Sequence, residues 1–363
     1  MKKILITGGA GLIGQMIAVK HINEGDDVYI YDNKSNVFND YGELAGEDIT
    51  SFGSIEEVVK ENKFDIISHQ AANVGVGESQ YMPAKYVENN CLFTSRLLQA
   101  IINCRDNHPE LFILAGSMGP YGEGPYICKY HNEVYPLRNK AEDPLCPYCL
   151  LPISPIKIKE SAQRYPKSIY ALTKMMQEDM VKIMAESYKI PSVSLRYFSV
   201  YGINSNPNNP YTGVLSIIGN KILNNSTIDL YEDGNQTRDL ISANEVAVAH
   251  YLSSKFCTPQ FFEEYNIGTG KSIRMADVAN RMVSNLAPWK KINYTGDYRS
   301  GDVRHSCADI EKFKAKTGWH PCDEIYGAID NYCRFLRDNR DKFTKIGDTS
   351  LAEHENLMAR KLI

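Results

Sequence analysis

Short apolar runs alternate with longer amphipathic stretches through the N-terminal half of the chain. The short runs have the length of buried strands, and the longer stretches carry apolar residues at helical spacing. The pattern predicts strands at Lys2–Ile6, Asp27–Tyr31, Phe64–His69, Leu111–Ala115 and Ser192–Tyr197. It predicts helices between them at Gln15–Glu24, Ser54–Asn62, Pro83–Cys104 and Ser168–Tyr188. Strands that alternate with helices in this way indicate an α/β fold with a parallel, doubly wound sheet.

The chain changes character after Gly202. Asn204–Pro210 is rich in Asn and Pro, which is typical of a loop or a domain boundary. Beyond it the pattern predicts a short strand at Thr227–Tyr231 and helices at Val214–Asn224, Asn244–Lys255, Met275–Leu286 and Tyr326–Asp338. The segment from Asp341 onward is polar, and we expect a loosely held tail.

A glycine motif stands between the first strand and the first helix. In the segment Thr7–Gly14 the spacing is Gly8-x-x-Gly11-x-x-Gly14, one residue longer than the usual dinucleotide-binding fingerprint. Gly8 permits the tight turn, Gly11 lets the backbone approach a pyrophosphate, and Gly14 lets the helix pack close to the sheet. The diphosphate would then lie on N–H groups at the helix N-terminus. An ordinary glycine-rich turn is the alternative.

The second predicted strand favours a dinucleotide, because it ends in Asp32, about 20 residues after the glycines. A carboxylate at this position accepts hydrogen bonds from the ribose hydroxyls of adenosine. It would repel a 2′-phosphate, which favours NAD over NADP. The nearby Lys34 keeps NADP open as an alternative.

Tyr170 and Lys174 lie one turn apart on the same face of a predicted helix. A nearby cation favours the phenolate and lowers the pKa of the tyrosine, so Tyr170 can act as a general base near neutral pH. Ser117, at a strand end, can donate a hydrogen bond to the same substrate oxygen. A surface Tyr/Lys pair without chemistry is the alternative.

Several ordered motifs together resemble the extended short-chain dehydrogenase/reductase family, and within it the nucleotide-sugar epimerase/dehydratase branch. The resemblance covers about residues 1–335. Its motifs are Thr7–Gly14, Asp32-Asn33, His69–Ala72, Ser117-x-x-x-Tyr121-Gly122, Ser168–Lys174, Leu195–Gly202, Asp233–Asp239, Asn266–Gly270 and Arg299–Arg304.

The resemblance implies roles for particular residues. The catalytic trio would be Ser117, Tyr170 and Lys174. The NAD-binding set would be Gly8, Gly11, Leu12, Ile13, Gly14, Asp32, Asn33, Asp48, Ile49, Gln70, Ala71, Ala72, Asn90, Tyr170, Lys174 and Tyr197. The substrate set would be Ser117, Ser199, Arg238, Arg299 and Asp302, with the two arginines on the diphosphate. The family often carries Asn where Ser199 stands, and its usual Val-Asp-Asp-Val is here Ser242–Val246, which we interpret as structural.

The resemblance also implies a domain organisation and an assembly. Residues 1–202 would form a Rossmann-type NAD-binding domain that carries an insertion at 123–165 and regains 240–268. Residues 203–239 and 269–340 would form a smaller C-terminal α/β lobe that binds the nucleotide-diphosphate sugar, and 341–363 would be a tail. In the family, the helix of the catalytic tyrosine and the one that matches Pro83–Cys104 pair with their copies, so we expect a homodimer.

The reaction type is indicated by the two residues after Ser117. Family dehydratases carry an Asp-Glu pair there, and decarboxylases of the branch keep a Glu, whereas this chain has Met118 and Gly119. Neither side chain can move a proton. We therefore expect an NAD-dependent 4-epimerase that works through a transient 4-keto sugar. A dehydratase or decarboxylase, an NADPH-dependent reductase, and a non-catalytic NAD-binding regulator are the alternatives, and the intact trio argues against the last.

The predicted insertion contains Cys128-x-x-His131 and Cys146-x-x-Cys149. Two such pairs supply the ligand types of a tetrahedral, structural zinc site. A similar cysteine-bearing insertion occurs in 4-epimerases of this branch. Free thiols or a redox-active Cys-x-x-Cys pair are the alternatives.

Composition adds limits on partners and compartment. The net charge of −4 and pI near 6.1 give no electrostatic reason to expect nucleic acid or an anionic membrane as a partner. The apolar run before the glycines is too short for a signal peptide, and no run approaches the length of a membrane span. Nine cysteines without an export signal indicate reduced thiols and a cytoplasmic protein.

Overall fold

The helices and strands follow the predicted alternation. This computed structural model describes residues 1–34, 46–104, 107–138, 140–203, 213–322, 324–341 and 350–363. The strands are β1 (Lys3–Thr7), β2 (Asp27–Tyr31), β3 (Glu47–Asp48), β4 (Ile66–His69), β5 (Leu111–Ser117), β6 (Tyr126–Cys128), β7 (Asn132–Val134), β8 (Ser154–Pro155), β9 (Ser192–Tyr197), β10 (Ser199–Tyr201), β11 (Ile228–Leu230), β12 (Thr237–Arg238), β13 (Leu240–Ser242), β14 (Phe262–Ile267), β15 (Ile273–Arg274) and β16 (Ile292–Tyr294). The helices are α1 (Leu12–Asn23), α2 (Ile55–Glu61), α3 (Val76–Ser79), α4 (Pro83–Tyr86), α5 (Phe93–Asn103), α6 (Ile169–Tyr188), α7 (Val214–Leu223), α8 (Ala243–Phe256), α9 (Met275–Leu286), α10 (Glu311–Thr317), α11 (Ile325–Asp338) and α12 (Ser350–Ala359). The loop predicted at Asn204–Pro210 lies outside the described residues.

A parallel sheet forms the centre of the molecule, as predicted. Among the described strands, seven pair in the order β14–β9–β5–β4–β1–β2–β3, and every pairing is parallel. The order reverses at β1, so the carboxyl ends of β1, β4 and β5 border the crevice where α/β sheets of this type bind ligands. The glycine turn, His69 and Ser117 therefore lie at one edge of the sheet.

Successive residues of the strands bury opposite faces of this sheet. Ile4 and Ile6 pack with α1 and α8, whereas Leu5, between them, packs with α2, α5 and α6. Phe112 and Ile113 divide in the same way. Because both faces are covered by helices, the strands are apolar along their length, which explains the continuous apolar runs in the sequence.

Side-chain caps mark the start of several helices. Ser54 caps α2 in a capping box with Glu57, and Ser168 caps α6 by accepting the Ala171 N–H at 3.1 Å. Ser242 likewise caps α8, which fits the structural interpretation of that motif. The first helix begins at Leu12 rather than at the predicted Gln15, so Gly14 lies inside it.

The predicted helix at Pro83–Cys104 is not a regular α-helix. It consists of α4, a π-helical turn at Val87–Leu92, and α5. A π turn inserts one extra residue and rotates the side chains that follow it, and such turns are frequent at functional sites. This turn orients Asn90 and Thr94 into the interior, where both are fully buried.

The smaller lobe packs α7, α9 and α11 around a second apolar core. In the described part of the predicted tail, residues 350–363, α12 forms and Leu357 is buried. The Ser300 N–H also donates to the Leu362 carbonyl at 2.9 Å. Among the described residues, none of the helices combines the length and the apolar character needed to cross a bilayer.

The segment at 123–165 contributes a small antiparallel sheet, in the order β7–β6–β8, with its own core around Tyr126. Buried ion pairs join this segment to the smaller lobe. Arg138 pairs with Glu232, and Arg304 pairs with both Glu232 and Asp143. The side chains of Arg138, Glu232 and Arg304 are almost fully buried.

Candidate active site

One cavity of about 610 Å³ joins the sheet edge to the smaller lobe. The glycine turn and the ends of β4, β5 and β9 form one wall, and residues of α7, β11 and β12 form the opposite wall. Among the predicted site residues, those that line it are Gly8, Gly11, Leu12, Ile13, Gly14, Gln70, Ala72, Ser117, Tyr170, Lys174, Tyr197, Ser199, Arg238, Arg299 and Asp302.

The glycine turn has the close packing that its spacing predicts. The Gly8 N–H donates to the Tyr31 carbonyl at 2.9 Å, which joins the turn to β2. A Cβ at Gly14 would lie 2.3 Å from the Gly8 carbonyl oxygen, so only glycine fits there. No side chain caps the N-terminus of α1. Its first N–H groups can therefore bind an anion at this end of the cavity.

The second strand ends beside this turn. Asp32 Oδ2 accepts the Ala10 N–H at 3.0 Å, and Asp32 Oδ1 accepts the Lys34 N–H at 2.6 Å. Burial raises the pKa of the Asp32 carboxyl. The Lys34 ammonium pairs with Asp48 Oδ2 at 2.5 Å, which directs its charge to that carboxylate. Asp32 contacts the glycine turn through its bond to Ala10. The residues of this predicted group that do not line the cavity are Asp32, Asn33, Asp48 and Ile49.

Four more residues predicted to bind the cofactor differ in their position. Tyr197 donates its hydroxyl hydrogen to Gln70 Oε1 at 3.2 Å, and both face the cavity. The backbone of Ala71 packs against Gly8. Asn90 lies behind the wall, where its side chain bonds to Asn73 and Thr173. Its position is that of a structural link rather than a cavity contact.

Ser117, Tyr170 and Lys174 all line the cavity. Ser117 ends β5, and the other two lie one turn apart on α6, as predicted. Burial raises the pKa of the Tyr170 phenol, and its hydrogen bond with Ser117 lowers it. Burial also lowers the pKa of the Lys174 ammonium to about 7. The prediction of a lowered Tyr170 pKa is wrong for this structure, because the effect of burial is larger than that of the Ser117 hydrogen bond. Lys174 Nζ donates to Gln177 Oε1 at 2.8 Å.

Two arginines face the trio from the smaller lobe. Arg238 and Arg299 each donate to Asp302, at 3.2 and 3.1 Å. Burial opposes ionisation of Asp302, but the two guanidinium groups lower its pKa. Ser199 begins β10 and also lines the cavity. The cluster offers planar, charged donors of the kind that bind phosphate oxygens.

The cavity also includes residues that sequence reasoning missed. Lys167 lies directly before the cap of α6, and Tyr231 lies under the Arg299 guanidinium, 5.7 Å from it. Gln177 holds Lys174 from the next turn of α6. Its spacing of three residues from Lys174 was the available signal, since residues at this spacing are neighbours on a helix.

The four predicted metal ligands come together in the insertion. The ligand atoms of Cys128, His131, Cys146 and Cys149 all lie within 4.8 Å of one another. Cys128 Sγ and Cys146 Sγ each lie 3.5 Å from His131 Nδ1, and Cys128 Sγ lies 3.7 Å from Cys149 Sγ. Hydrogen bonds from the Tyr130 N–H and from His131 lower the pKa of the Cys128 thiol to about 6.

Comparisons with known proteins agree with this architecture. A model of the NAD dependent epimerase/dehydratase family matches residues 4–268. The dTDP-L-rhamnose 4-epimerase of Burkholderia thailandensis is 30% identical over 88% of this chain and 91% of its own length. The UDP-glucose 4-epimerase of Thermotoga maritima, solved with UDP-glucose, has a TM-score of 0.76 at 25% identity, covering 93% of this chain and 99% of that one. The Thermus thermophilus UDP-glucose 4-epimerase, solved with NAD, has a TM-score of 0.73 at 26% identity, covering 92% and 98%.

Proposed function

Because this chain belongs to the NAD dependent epimerase/dehydratase family, we propose that it is an NAD-dependent 4-epimerase of a nucleotide-diphosphate sugar. The observation that carries the proposal is the set of side chains around Ser117. Tyr170 and Lys174 supply a proton acceptor and a cation, while Met118 and Gly119 border the same cavity and supply no acid or base. Oxidation and reduction at one carbon can proceed with this set, but elimination of water lacks its proton carriers.

In the proposed reaction Tyr170, as the phenolate, takes the proton of the C4 hydroxyl. Ser117 donates a hydrogen bond to the same oxygen, and the Lys174 ammonium stabilises the phenolate. When bound, NAD would supply the acceptor and the donor for the C4 hydride. Between oxidation and reduction the keto sugar rotates in the cavity, so that its opposite face meets the hydride donor. Tyr170 then returns the proton to the oxygen of the new C4 epimer. No net oxidation results.

We propose that the two ligands bind at distinct ends of the cavity. The glycine turn would hold the NAD diphosphate, and Asp32 beside it would accept the adenosine ribose hydroxyls. Arg238 and Arg299 would exchange Asp302 for the substrate diphosphate. On this basis we propose residues 1–202 with 240–268 as the NAD-binding domain, and 203–239 with 269–340 as the nucleotide-sugar lobe. Asp32→Ala should weaken NAD binding and reduce discrimination against NADP.

The test is incubation of the purified protein with a panel of nucleotide sugars, with the products identified by NMR. We expect a C4 epimer without net NAD turnover. Tyr170→Phe should lose nearly all turnover while it still binds NAD. Tyr326→Phe, an exposed tyrosine on α11, is the matched control and should be active. A released 4-keto-6-deoxy sugar would identify a dehydratase, and NADPH consumption would identify a reductase.

We also propose that the insertion binds one structural zinc ion. Zinc bonds of about 2.3 Å to sulfur and 2.0–2.1 Å to nitrogen, at tetrahedral angles, give ligand separations of about 3.8 Å and 3.5 Å. The two sulfur-to-nitrogen separations from His131 to Cys128 and Cys146, and the sulfur separation between Cys128 and Cys149, agree with these values. Zinc would supply the folding energy that so small a core lacks.

Metal analysis should find about one zinc per chain in the purified protein. The Cys146→Ser/Cys149→Ser variant should lose the zinc and unfold at a lower temperature. Cys322→Ser, which changes an exposed thiol outside the cluster, should keep the zinc and the unfolding temperature of the wild type. A wild type that is metal-free and fully stable would refute the site.

We further propose that the protein is a homodimer in the cytoplasm. The α6 helix exposes Leu172, Met176 and Ile183, and the preceding helical segment exposes Val87 and Leu92. Exposed apolar side chains on two neighbouring helices suit a four-helix interface. Light scattering should give twice the chain mass, and Ile183→Glu should give a monomer. A wild type that is monomeric at micromolar concentration would contradict this assembly.

A further inference from the structure

Lys174 carries its charge in an almost closed environment. Its side chain is buried, and no carboxylate accepts a hydrogen bond from its ammonium among the described residues. The ammonium instead donates a 2.8 Å hydrogen bond to the neutral amide oxygen Gln177 Oε1. Gln177 is itself fully buried. An ammonium group has three donors and no acceptor, so the oxygen of the Gln177 amide must face it.

The other end of the Gln177 amide is fixed by a polar chain inside the protein. Gln177 Nε2 donates to Thr94 Oγ1 at 2.7 Å, and Thr94 Oγ1 also lies 2.7 Å from His69 Nε2. Thr94 gives its single hydrogen to the Asn90 carbonyl at 2.5 Å, so it can only accept from Gln177 and His69. The Thr94 hydroxyl is therefore a donor to Asn90 and an acceptor from Gln177 and His69.

The assignment continues to β1. Since His69 Nε2 donates to Thr94, its Nδ1 is the acceptor, and it takes the Thr7 hydroxyl hydrogen at 2.7 Å. Burial lowers the pKa of His69 to about 3, so the ring is neutral, as this pattern requires. Thr7, His69 and Thr94 are all buried. The chain from β1 to α6 therefore allows one orientation of the Gln177 amide.

We propose that Gln177 is a positioning residue for Lys174. It holds one ammonium hydrogen at the rear of the cavity and leaves the other two for the reacting groups, while Thr94 and His69 prevent the amide from turning. The proposal rests on the assignment of Lys174 to the reaction above. It adds a residue three positions beyond the Tyr170–Lys174 pair to the machinery of this chain.

Two variants of Gln177 should shift the pKa of Lys174 in opposite directions. Gln177→Met keeps the volume but removes the acceptor, so the charged lysine loses its hydrogen bond and its pKa should fall. Gln177→Glu keeps an oxygen and adds a negative charge, so the pKa should rise. Each shift should be about one pH unit, which is roughly tenfold in the protonation equilibrium. The other titratable groups that face Lys174 are Cys91, His69, Glu178 and Tyr170, and they stay constant in this comparison.

The shifts are measured by two independent assays. The first is the rate of Lys174 acetylation by acetic anhydride as a function of pH, read by peptide mass spectrometry. The second is the pH profile of kcat for epimerisation. Its alkaline limb should move to lower pH in Gln177→Met and to higher pH in Gln177→Glu. Gln177→Met should reduce kcat at least tenfold with little change in KM.

Three controls separate positioning from a general structural effect. Gln260→Met makes the same replacement at an exposed site and should match the wild type in both assays. Thr94→Ser keeps the hydroxyl and should preserve the profile, whereas Thr94→Val should shift it as Gln177→Met does. An unchanged Lys174 titration in both Gln177 variants would overturn the proposal, even if activity fell. A wild type that epimerises no nucleotide sugar would refute the function alone, because acetylation still reports on Gln177.

Discussion

Replacing Gly14 with alanine should damage folding, and replacing Gly11 should not. A Cβ at Gly14 would lie 2.3 Å from the Gly8 carbonyl oxygen and 2.7 Å from the Gly9 Cα. Restoring an ordinary contact of 3.4 Å to that oxygen requires a displacement of about 1.1 Å, the difference between the two distances. Both obstacles are backbone atoms that cannot rotate away. Overpacking of this kind costs roughly 1–3 kcal/mol in the free energy of unfolding.

Gly11 belongs to the same motif but has space for a methyl group. Its nearest atom to a new Cβ is the Gly8 carbonyl oxygen at 3.4 Å, and its φ of −76° suits any residue. Alanine is a poorer helix cap than glycine, but it also restricts the unfolded chain by about 0.4–1 kcal/mol. The two effects oppose each other, so we expect a net change within about 0.5 kcal/mol.

Urea unfolding of the cofactor-free variants, followed by circular dichroism, measures these free energies. Gly11→Ala should unfold like the wild type yet bind NAD weakly in calorimetric titration, because its methyl group occupies the approach to the diphosphate. Gly14→Ala should unfold at a lower urea concentration. Equal losses of stability in the two variants, or no loss in Gly14→Ala, would refute the steric argument.

Three further changes test the packing. Ser54→Ala removes the capping box of α2 and should cost about 1 kcal/mol in urea unfolding; no loss would contradict the cap. Arg304→Leu removes one of the two arginines that pair with the buried Glu232, and because Arg138 remains it should cost about 1–3 kcal/mol, which a thermal melt detects. His69 has a pKa of about 3 when folded against 6.5 otherwise, so the unfolded chain binds more protons between these values. As the pH falls below 6, the free energy of unfolding should therefore decrease by about 1.4 kcal/mol per pH unit. Above pH 7, His69 should cause no change in it. The His69→Asn variant should show a weaker dependence of stability on pH.

The sequence predicted the fold because the fold depends on local patterns. The apolar runs identified the strands, and Ser54 and Ser168 marked helix starts through caps that act within one turn. The four ligands of the insertion were also visible, since each pair has short spacing. The domain boundaries, the roles of the site residues and the zinc stay predictions.

Properties that arise from tertiary packing were not visible. The π turn before Thr94 and the pairing of Arg304 with Asp143, 161 residues away, have no local signature. The Tyr170 pKa was predicted to fall because Lys174 is near in sequence, but burial raises it. Desolvation depends on everything that surrounds a group, and a single helix does not reveal it.

The position of β14 in the sheet has a consequence for synthesis. This strand completes the sheet next to β9, yet about 65 residues separate the end of β9 from its start. At roughly 5–20 residues per second, a ribosome needs about 3–13 s to make that interval. During this time β9 is an unprotected edge, with its row of backbone N–H and C=O groups open to any other extended chain. Production of this protein therefore depends on whatever shields that edge in the nascent chain, and a fragment that stops at residue 202 would keep it exposed permanently.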